Sequence, residues 1–183
     1  MAADPHLDRL APGVPDPVLV VQYDSGWPGA FQRERDRIAS ALGGLALEIQ
    51  HMGSTAVPGL GAKPIIDIML GLRALDDVEA CVGPMEGLGY EYKGEFGIPD
   101  RHYFRLIQDD RRTHQVHTVV RDSDFWRRHL LFRDYLRANP DEARLYYELK
   151  VALSERHRDD REAYTEAKSE FIEAAIAKAR GSA

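Results

Sequence analysis

The segment HMGSTAVPGLGAKPIIDIML, residues 51–70, holds the residues of this chain best suited to chemistry. A Gly53–Ser54 pair follows one strand-like run, and Asp67 lies inside the next run, which is otherwise apolar. Burying a carboxylate without a partner carries a large desolvation cost. Asp67 therefore needs either a structural partner or a ligand that uses it.

The spacing in this segment favours a site for phosphate and a divalent metal. Gly53 allows the backbone to approach a ligand closely. Ser54, Thr55 and the nearby amides can donate hydrogen bonds to phosphate oxygens. Asp67, on the next strand, can hold Mg²⁺ or Mn²⁺ through its oxygens. A metal held between an aspartate and a triphosphate is a common arrangement for phosphoryl or nucleotidyl transfer.

Three basic residues are candidates for neutralising the phosphate. Lys63 lies in the glycine-flanked loop, where it either contacts phosphate or forms a salt bridge with Asp67. Arg101 and Arg105 are four residues apart, so on a strand they share one side. There they either face an anionic ligand or remain solvated.

Histidines offer a second kind of ligand. His51 ends the strand before Gly53, and His114 and His117 lie three apart on a later strand, so they point to opposite faces. We expect His117 on the Asp67 face. His51, Asp67 and His117 would together make a metal site, and Asp67 and His117 are the catalytic candidates.

The pattern predicts an α+β fold, with a mixed, mainly antiparallel sheet followed by a helical extension. Four prolines predict a flexible N-terminal arm over residues 1–17, before a core over 18–122 and C-terminal helices over 123–183 that pack on it as one domain. Strands are expected at 18–24, 45–52, 64–72, 90–97, 102–108 and 114–120, and the late helices at 124–138, 140–157 and 159–180. Asn139 is expected to cap the second late helix, and Lys150 to be a surface charge.

Composition narrows the class of protein. The 183 residues carry a net charge of −6, which argues against an extended nucleic-acid surface. No apolar run approaches the ~20 residues of a membrane span, and the N-terminus does not resemble a signal peptide. A single cysteine, Cys81, excludes an intrachain disulfide, fits a reducing cytoplasm and is expected to be buried.

Three segments closely resemble the GrpB family: QYDSGWPGAFQRE, HMGSTAVPGLGAKPIIDIML and HQVHTVV. The resemblance runs from about Val20 to Ala175. It implies the nucleotidyltransferase superfamily fold, with the superfamily's Gly-Ser pair at Gly53 and Ser54 and its first metal-binding aspartate at Asp67.

The match departs from the superfamily at its other acids. Met69 stands where a second carboxylate is expected, and the neighbouring strand offers His114 and His117 instead of a third. Three outcomes are open. Another acid completes the site, with Glu48, Glu95 and Asp100 as candidates; His117 helps to bind a softer metal; or the site binds without catalysing.

The resemblance thus implies a nucleotidyltransferase-like protein that binds a nucleoside triphosphate or phosphorylated small molecule with a divalent metal. The alternative is a non-catalytic nucleotide- or phosphometabolite-binding module. A further alternative is an accessory partner of a kinase such as dephospho-CoA kinase, because some family members are fused to that enzyme. The partners expected are this small molecule and either a second copy of the chain or such a kinase.

Overall fold

Five strands form one mixed sheet in the computed structural model, which describes residues 17–181. The strands are β1 Glu48–Met52, β2 Ile66–Leu72, β3 Tyr90–Tyr92, β4 His102–Gln108 and β5 Arg111–Val120. Their order across the sheet is β1-β2-β5-β4-β3, and only the central β2–β5 pair is parallel. This confirms a mixed, mainly antiparallel sheet. Apart from residue 17, the predicted flexible arm lies outside the described residues.

One face of the sheet is covered by two early helices, α1 Trp27–Leu42 and α2 Val78–Gly87. The largest apolar core lies between them and the inward side chains of β2, β4 and β5, among them Ile68, Leu70 and Phe104. Cys81 of α2 is fully buried in this core, as expected, and burial raises the pKa of its thiol to about 11. That side of the sheet is therefore structural.

The C-terminal helices are α3 Asp124–Ala138, α4 Pro140–Arg156, α5 Arg161–Glu166 and α6 Ser169–Gly181. Helix α3 packs on the opposite face of the sheet, where Trp126 contacts the cluster of Met52, Met69 and Val119. Ser123 caps α3, since its hydroxyl accepts from the Trp126 amide at 3.3 Å. The second face is thus only partly covered by apolar packing.

Basic side chains from α3 and α4 fix the segment that follows β1. Arg133 donates to the carbonyl of His51 at 2.8 Å, and Arg137 donates twice to the carbonyl of Ala56. Lys150, only 2 % exposed, donates to the carbonyl of Gly61. Each of these bonds joins groups about eighty to ninety residues apart in sequence, so the C-terminal helices hold the glycine-rich loop in position.

Four local predictions are wrong. The strand expected over 90–97 ends at Tyr92. The run at 18–24 forms no strand of the sheet and makes a single bridge, Val21 to Ala62. The helix expected over 159–180 is divided, because α5 ends at Glu166 and α6 begins at Ser169. Asn139 makes no side-chain cap for α4; its amide instead donates to the carbonyl of Tyr135. None of the helices described between residues 17 and 181 has the length and apolar character to cross a membrane.

Candidate functional site

A row of polar side chains crosses the second face of the sheet. Strand register places Asp67 of β2 beside Gln115 of β5, Gln115 beside Arg105 of β4, and Arg105 beside Glu91 of β3. Side chains at such paired positions lie on the same face. A carboxylate, an amide, a guanidinium and a second carboxylate thus follow one another across four strands.

The Gly53 turn closes over one end of this row. Gly53 has φ of 70° and ψ of −170°, a conformation that is essentially restricted to glycine. A β-carbon at that position would lie 2.5 Å from Oδ2 of Asp67. The turn and the carboxylate therefore meet as expected, and glycine is required by both the backbone conformation and the space.

Positive side chains surround Asp67. They come from five different segments of the chain and are Lys63, Arg112, Lys150, Arg161 and Lys168. Lys63 and Lys168 approach one ring, that of Tyr164, with ammonium nitrogens 5.5 Å and 4.3 Å from its centroid. No salt bridge formed within residues 17–181 includes Asp67. The half-buried carboxylate therefore experiences the positive field without a direct ionic partner in the described part of the chain.

The pKa values reflect this crowding. Burial raises the pKa of Asp67 to about 6, although Lys63, Lys168 and the two arginines pull it down. Burial and the neighbouring arginine and lysine charges lower the pKa of Lys63 to about 7. Burial likewise lowers the pKa of Lys150 to about 7 and that of Lys168 to about 8. The ammonium groups of Lys63, Lys150 and Lys168 are thus buried, and the negative charge near them is too small to keep their pKa values at the usual level.

Ser54 lies at the same place. Burial raises the pKa of the Tyr146 phenol, which also feels the Asp67 charge and a hydrogen bond from Ser54. Tyr146 itself packs edge-on against Phe132. The Ser54 side chain is half-buried, and it acts on the same phenol as the Asp67 carboxylate.

The side chains of Thr55 and His51 lie apart from this group. His51 is paired with Ile68 rather than Asp67, which places its ring on the opposite face of the sheet. There it stacks on Phe31 of α1 at 4.6 Å, and its Nε2 lies 3.0 Å from the hydroxyl of the buried Thr55. The two side chains interact with each other on the face of the sheet that packs against α1.

Arg101 and Arg105 share a face, as predicted, and neither is solvated. They are 3 % and 4 % exposed. Arg105 donates to Glu91 at 2.8 Å, so a carboxylate already occupies part of its guanidinium. Arg101 donates to the carbonyl of Phe96 and stacks on the ring of Tyr103 at 5.0 Å.

His117 lies on the Asp67 face, one row further along the sheet. It pairs with Met69 on β2 and with Tyr103 on β4. Its Nδ1 is buried and has no hydrogen-bond partner among residues 17–181. Burial, Arg101 and His129 hold its pKa well below the usual value, so the ring is neutral. His114 points to the other face, near Glu34 of α1, as expected.

The donor set does not fit two divalent ions held by this chain. Met69 is completely buried and packs with Met52 and Trp126, and Gln115 occupies the neighbouring strand position. Residues 17–181 contain no group of three or more histidine, cysteine or acidic side chains arranged around a common point. The triad of His51, Asp67 and His117 therefore does not assemble.

Four cations of the site went unrecognised in the sequence: Arg112, Lys150, Arg161 and Lys168. The burial of Lys150 can be recognised from helical periodicity, because it lies on the buried face of α4. The buried residues of that helix are Ala143, Tyr146, Lys150 and Leu153. The prediction of a surface charge was wrong at that position. The other three reach Asp67 only through tertiary packing.

Comparisons with known proteins agree with this architecture. The family model described as GrpB protein matches residues 17–178. A UPF0157 protein of Pseudomonas aeruginosa is 44 % identical over 168 residues, covering 90 % of this chain and 68 % of that protein. The crystal structure of conserved protein GrpB from Enterococcus faecalis has a TM-score of 0.81 and 38 % identity, covering 88 % of this chain and 96 % of that chain.

One relative is much longer than the matching region. A dephospho-CoA kinase of Mycolicibacterium paratuberculosis is 30 % identical over 187 residues, which cover 89 % of this chain. They cover only 46 % of that kinase. This chain thus resembles one part of that protein.

Proposed function

This chain belongs to the GrpB protein family, and on that premise we propose that it binds a phosphorylated small molecule beside Asp67. The phosphate lies between the second face of the sheet and the basic residues of the loop and C-terminal helices. Lys63 and Lys168 contact its oxygens, and Ser54 donates a hydrogen bond. The observation that carries the proposal is the convergence of three lysines, whose pKa values burial lowers, on one half-buried carboxylate.

Charge and solvation support an anionic ligand at this place. The chain as a whole has a net charge of −6, yet Lys63, Lys150 and Lys168 all lie around Asp67. Burial disfavours the charged form of a lysine, and a nearby anion favours it. A bound anion therefore raises the lowered pKa values of these lysines and is attracted to their charged form. Phosphate oxygens also form the strong, charge-assisted hydrogen bonds that ammonium groups favour.

Binding is better supported than two-metal nucleotidyl transfer. That chemistry needs several carboxylates around its metals, and this face offers Asp67 with Met69 and Gln115 beside it. Asp67 instead orients the lysines through its charge and can exchange a proton near neutral pH, given a pKa of about 6.

The test is calorimetric titration of ATP, CTP, pyrophosphate and dephospho-CoA, with and without Mn²⁺, alongside an assay of pyrophosphate release. We expect at least one of these compounds to bind, and Lys168→Gln to weaken it by ~10-fold or more, the usual loss for a charge-assisted hydrogen bond. Arg35→Gln, which removes an exposed charge from α1, should leave binding unchanged. Equal weakening by both variants, or no binding, would contradict the proposal.

A second proposal is a partnership with a kinase, and it rests on the partial match to a dephospho-CoA kinase. In this case the chain forms a complex with that enzyme and presents the same site to its substrate or product. Size-exclusion chromatography of this protein mixed with dephospho-CoA kinase tests the idea. A complex that survives the column supports it, and separate elution of the two proteins contradicts it.

A further inference from the structure

Two of the lysines around Asp67 share one aromatic ring. The side-chain nitrogens of Lys63 and Lys168 lie 5.5 Å and 4.3 Å from the centre of the Tyr164 ring. The charges of Lys168 and Arg161 both act on Lys63 and disfavour its protonated form. A desolvated lysine beside another cation is a setting in which the amine becomes a nucleophile. The crowding of like charges therefore makes Lys63 a candidate for covalent chemistry.

Lys63 is better placed to react than the other two lysines. Its side-chain nitrogen has no hydrogen-bond or salt-bridge partner among residues 17–181. Lys150 is 2 % exposed and its nitrogen is bonded to the carbonyl of Gly61. Lys168 keeps the higher pKa, about 8 against about 7 for Lys63, so Lys63 has the larger neutral fraction at any pH. A neutral amine has the lone pair that attacks a carbonyl carbon.

The two lysines lie at the surface of the fold. Both side chains are half-buried, and the residues that follow and precede them in the chain, Pro64 and Ala167, are exposed. The Lys63 carbonyl accepts a hydrogen bond from the Ile65 amide at 2.8 Å, which fixes the backbone from which the side chain extends. A small molecule can therefore reach this pair from solvent while the core stays closed.

We propose that Lys63 is a nucleophilic amine that forms an imine with the carbonyl group of a phosphorylated aldehyde. The Nζ lone pair attacks the carbonyl carbon, and the π electrons of the C=O bond move to oxygen. Both protons of the neutral amine then leave with that oxygen as water, and a C=N bond replaces the C=O bond. The phosphate keeps its contacts with Lys168 and Ser54. This inference rests on the proposed function and names the class of ligand.

Reductive trapping tests the imine directly. The protein is mixed with glyceraldehyde 3-phosphate and sodium cyanoborohydride, which reduces an imine to a stable secondary amine, and peptide mass spectrometry locates the labelled lysine. Lys93 is half-buried like Lys63 and is not among the cations around Asp67. We expect Lys63 to be labelled at least ~10-fold faster than Lys93 at pH ~7, because most lysine amines are protonated there.

Two variants separate the amine from the charge. Lys63→Arg keeps a positive charge but has no primary amine, so it should lose this label and still bind inorganic pyrophosphate. Lys168→Gln removes the phosphate contact, so it should label no faster with glyceraldehyde 3-phosphate than with glyceraldehyde. In the wild-type protein, excess pyrophosphate should slow the labelling of Lys63 and leave that of Lys93 unchanged. This protection experiment decides the question if the thermal unfolding midpoint shows that Lys63→Arg is not folded.

The outcomes distinguish this inference from the proposed function. Equal labelling of Lys63 and Lys93, with pyrophosphate bound by the wild-type protein, would overturn the imine and leave the phosphate site standing. Equal labelling of Lys63 by glyceraldehyde 3-phosphate and by glyceraldehyde would also overturn it, because the phosphate would then not direct the reaction. If pyrophosphate does not bind and Lys63 is not labelled faster than Lys93, both proposals fail.

Discussion

Gly53 and Asp67 fit against each other so closely that any β-carbon on Gly53 would collide with the carboxylate. Such an atom would lie 2.5 Å from Oδ2 of Asp67, which is shorter than any tolerated contact. Gly53 belongs to the turn after β1, and Asp67 to the antiparallel neighbour β2, where its register partner is Met52. The turn can therefore take this shape only while residue 53 is a glycine.

Gly53→Ala should destabilise the protein more than Gly59→Ala. Both glycines have positive φ, 70° and 78°, so alanine is strained at each by ~1–2 kcal/mol. Only at residue 53 does the new methyl group also meet a side chain, because nothing lies within 4 Å of a β-carbon at Gly59. Urea unfolding measures the difference, and equal losses of unfolding free energy would show that Asp67 moves aside without cost.

Ligand binding at pH ~8 should be accompanied by proton uptake. Lys63 and Lys150 have pKa values of about 7, and Lys168 about 8, so these amines are substantially neutral there. A bound polyphosphate raises all three pKa values and draws protons from solution. Titrations in Tris and HEPES report the uptake as a difference in apparent enthalpy. Lys168→Gln should reduce it, and zero uptake or proton release by the wild-type protein would contradict the assigned site.

Asp67→Asn should lower the pKa of Lys63 below its value of about 7. The Asp67 charge raises the Lys63 pKa, against burial and three neighbouring cations that lower it. Removing that charge leaves the opposing effects uncompensated. NMR titration of the lysine side chains measures the change, with Asp76→Asn, an exposed acid at a distant turn, as the control. An unchanged or raised Lys63 pKa in Asp67→Asn would mean that the two groups are not coupled.

Stability without ligand should rise as the pH increases above neutrality. Burial lowers the pKa of Lys150 from 10.5 to about 7, so between these values the unfolded chain binds a proton that the native chain does not. The free energy of unfolding then increases with pH in that interval. Urea unfolding at about pH 7 and about pH 9 tests this. The unfolding free energy of Lys150→Met should rise less with pH than that of the wild type. An identical rise would show that groups other than Lys150 cause it.

The sequence allowed part of the site to be predicted because strand alternation is a local property. The opposite orientations of His114 and His117 follow from their spacing, and the structure confirms them. The side chosen for His51 was wrong, because it depends on register. Pairing of Met52, rather than His51, with Asp67 sends the histidine to the other face.

The cations from the C-terminal helices could not be placed from the sequence, because long-range packing brings them to Asp67. Lys150 is the exception, since it occupies a core position of α4 that helical periodicity can identify. The strand expected at 18–24 failed for a related reason. An apolar run forms a strand only where a partner edge is available, and here only Val21 finds one, at Ala62.

A crystal structure of the protein with ATP tests the central claim most directly. We predict phosphate oxygens within ~3 Å of the side-chain nitrogens of Lys63 and Lys168, with Ser54 donating to one of them. Triphosphate bound instead in the groove between α3 and α6, which is lined by Arg127, Arg128 and Arg180, would contradict it.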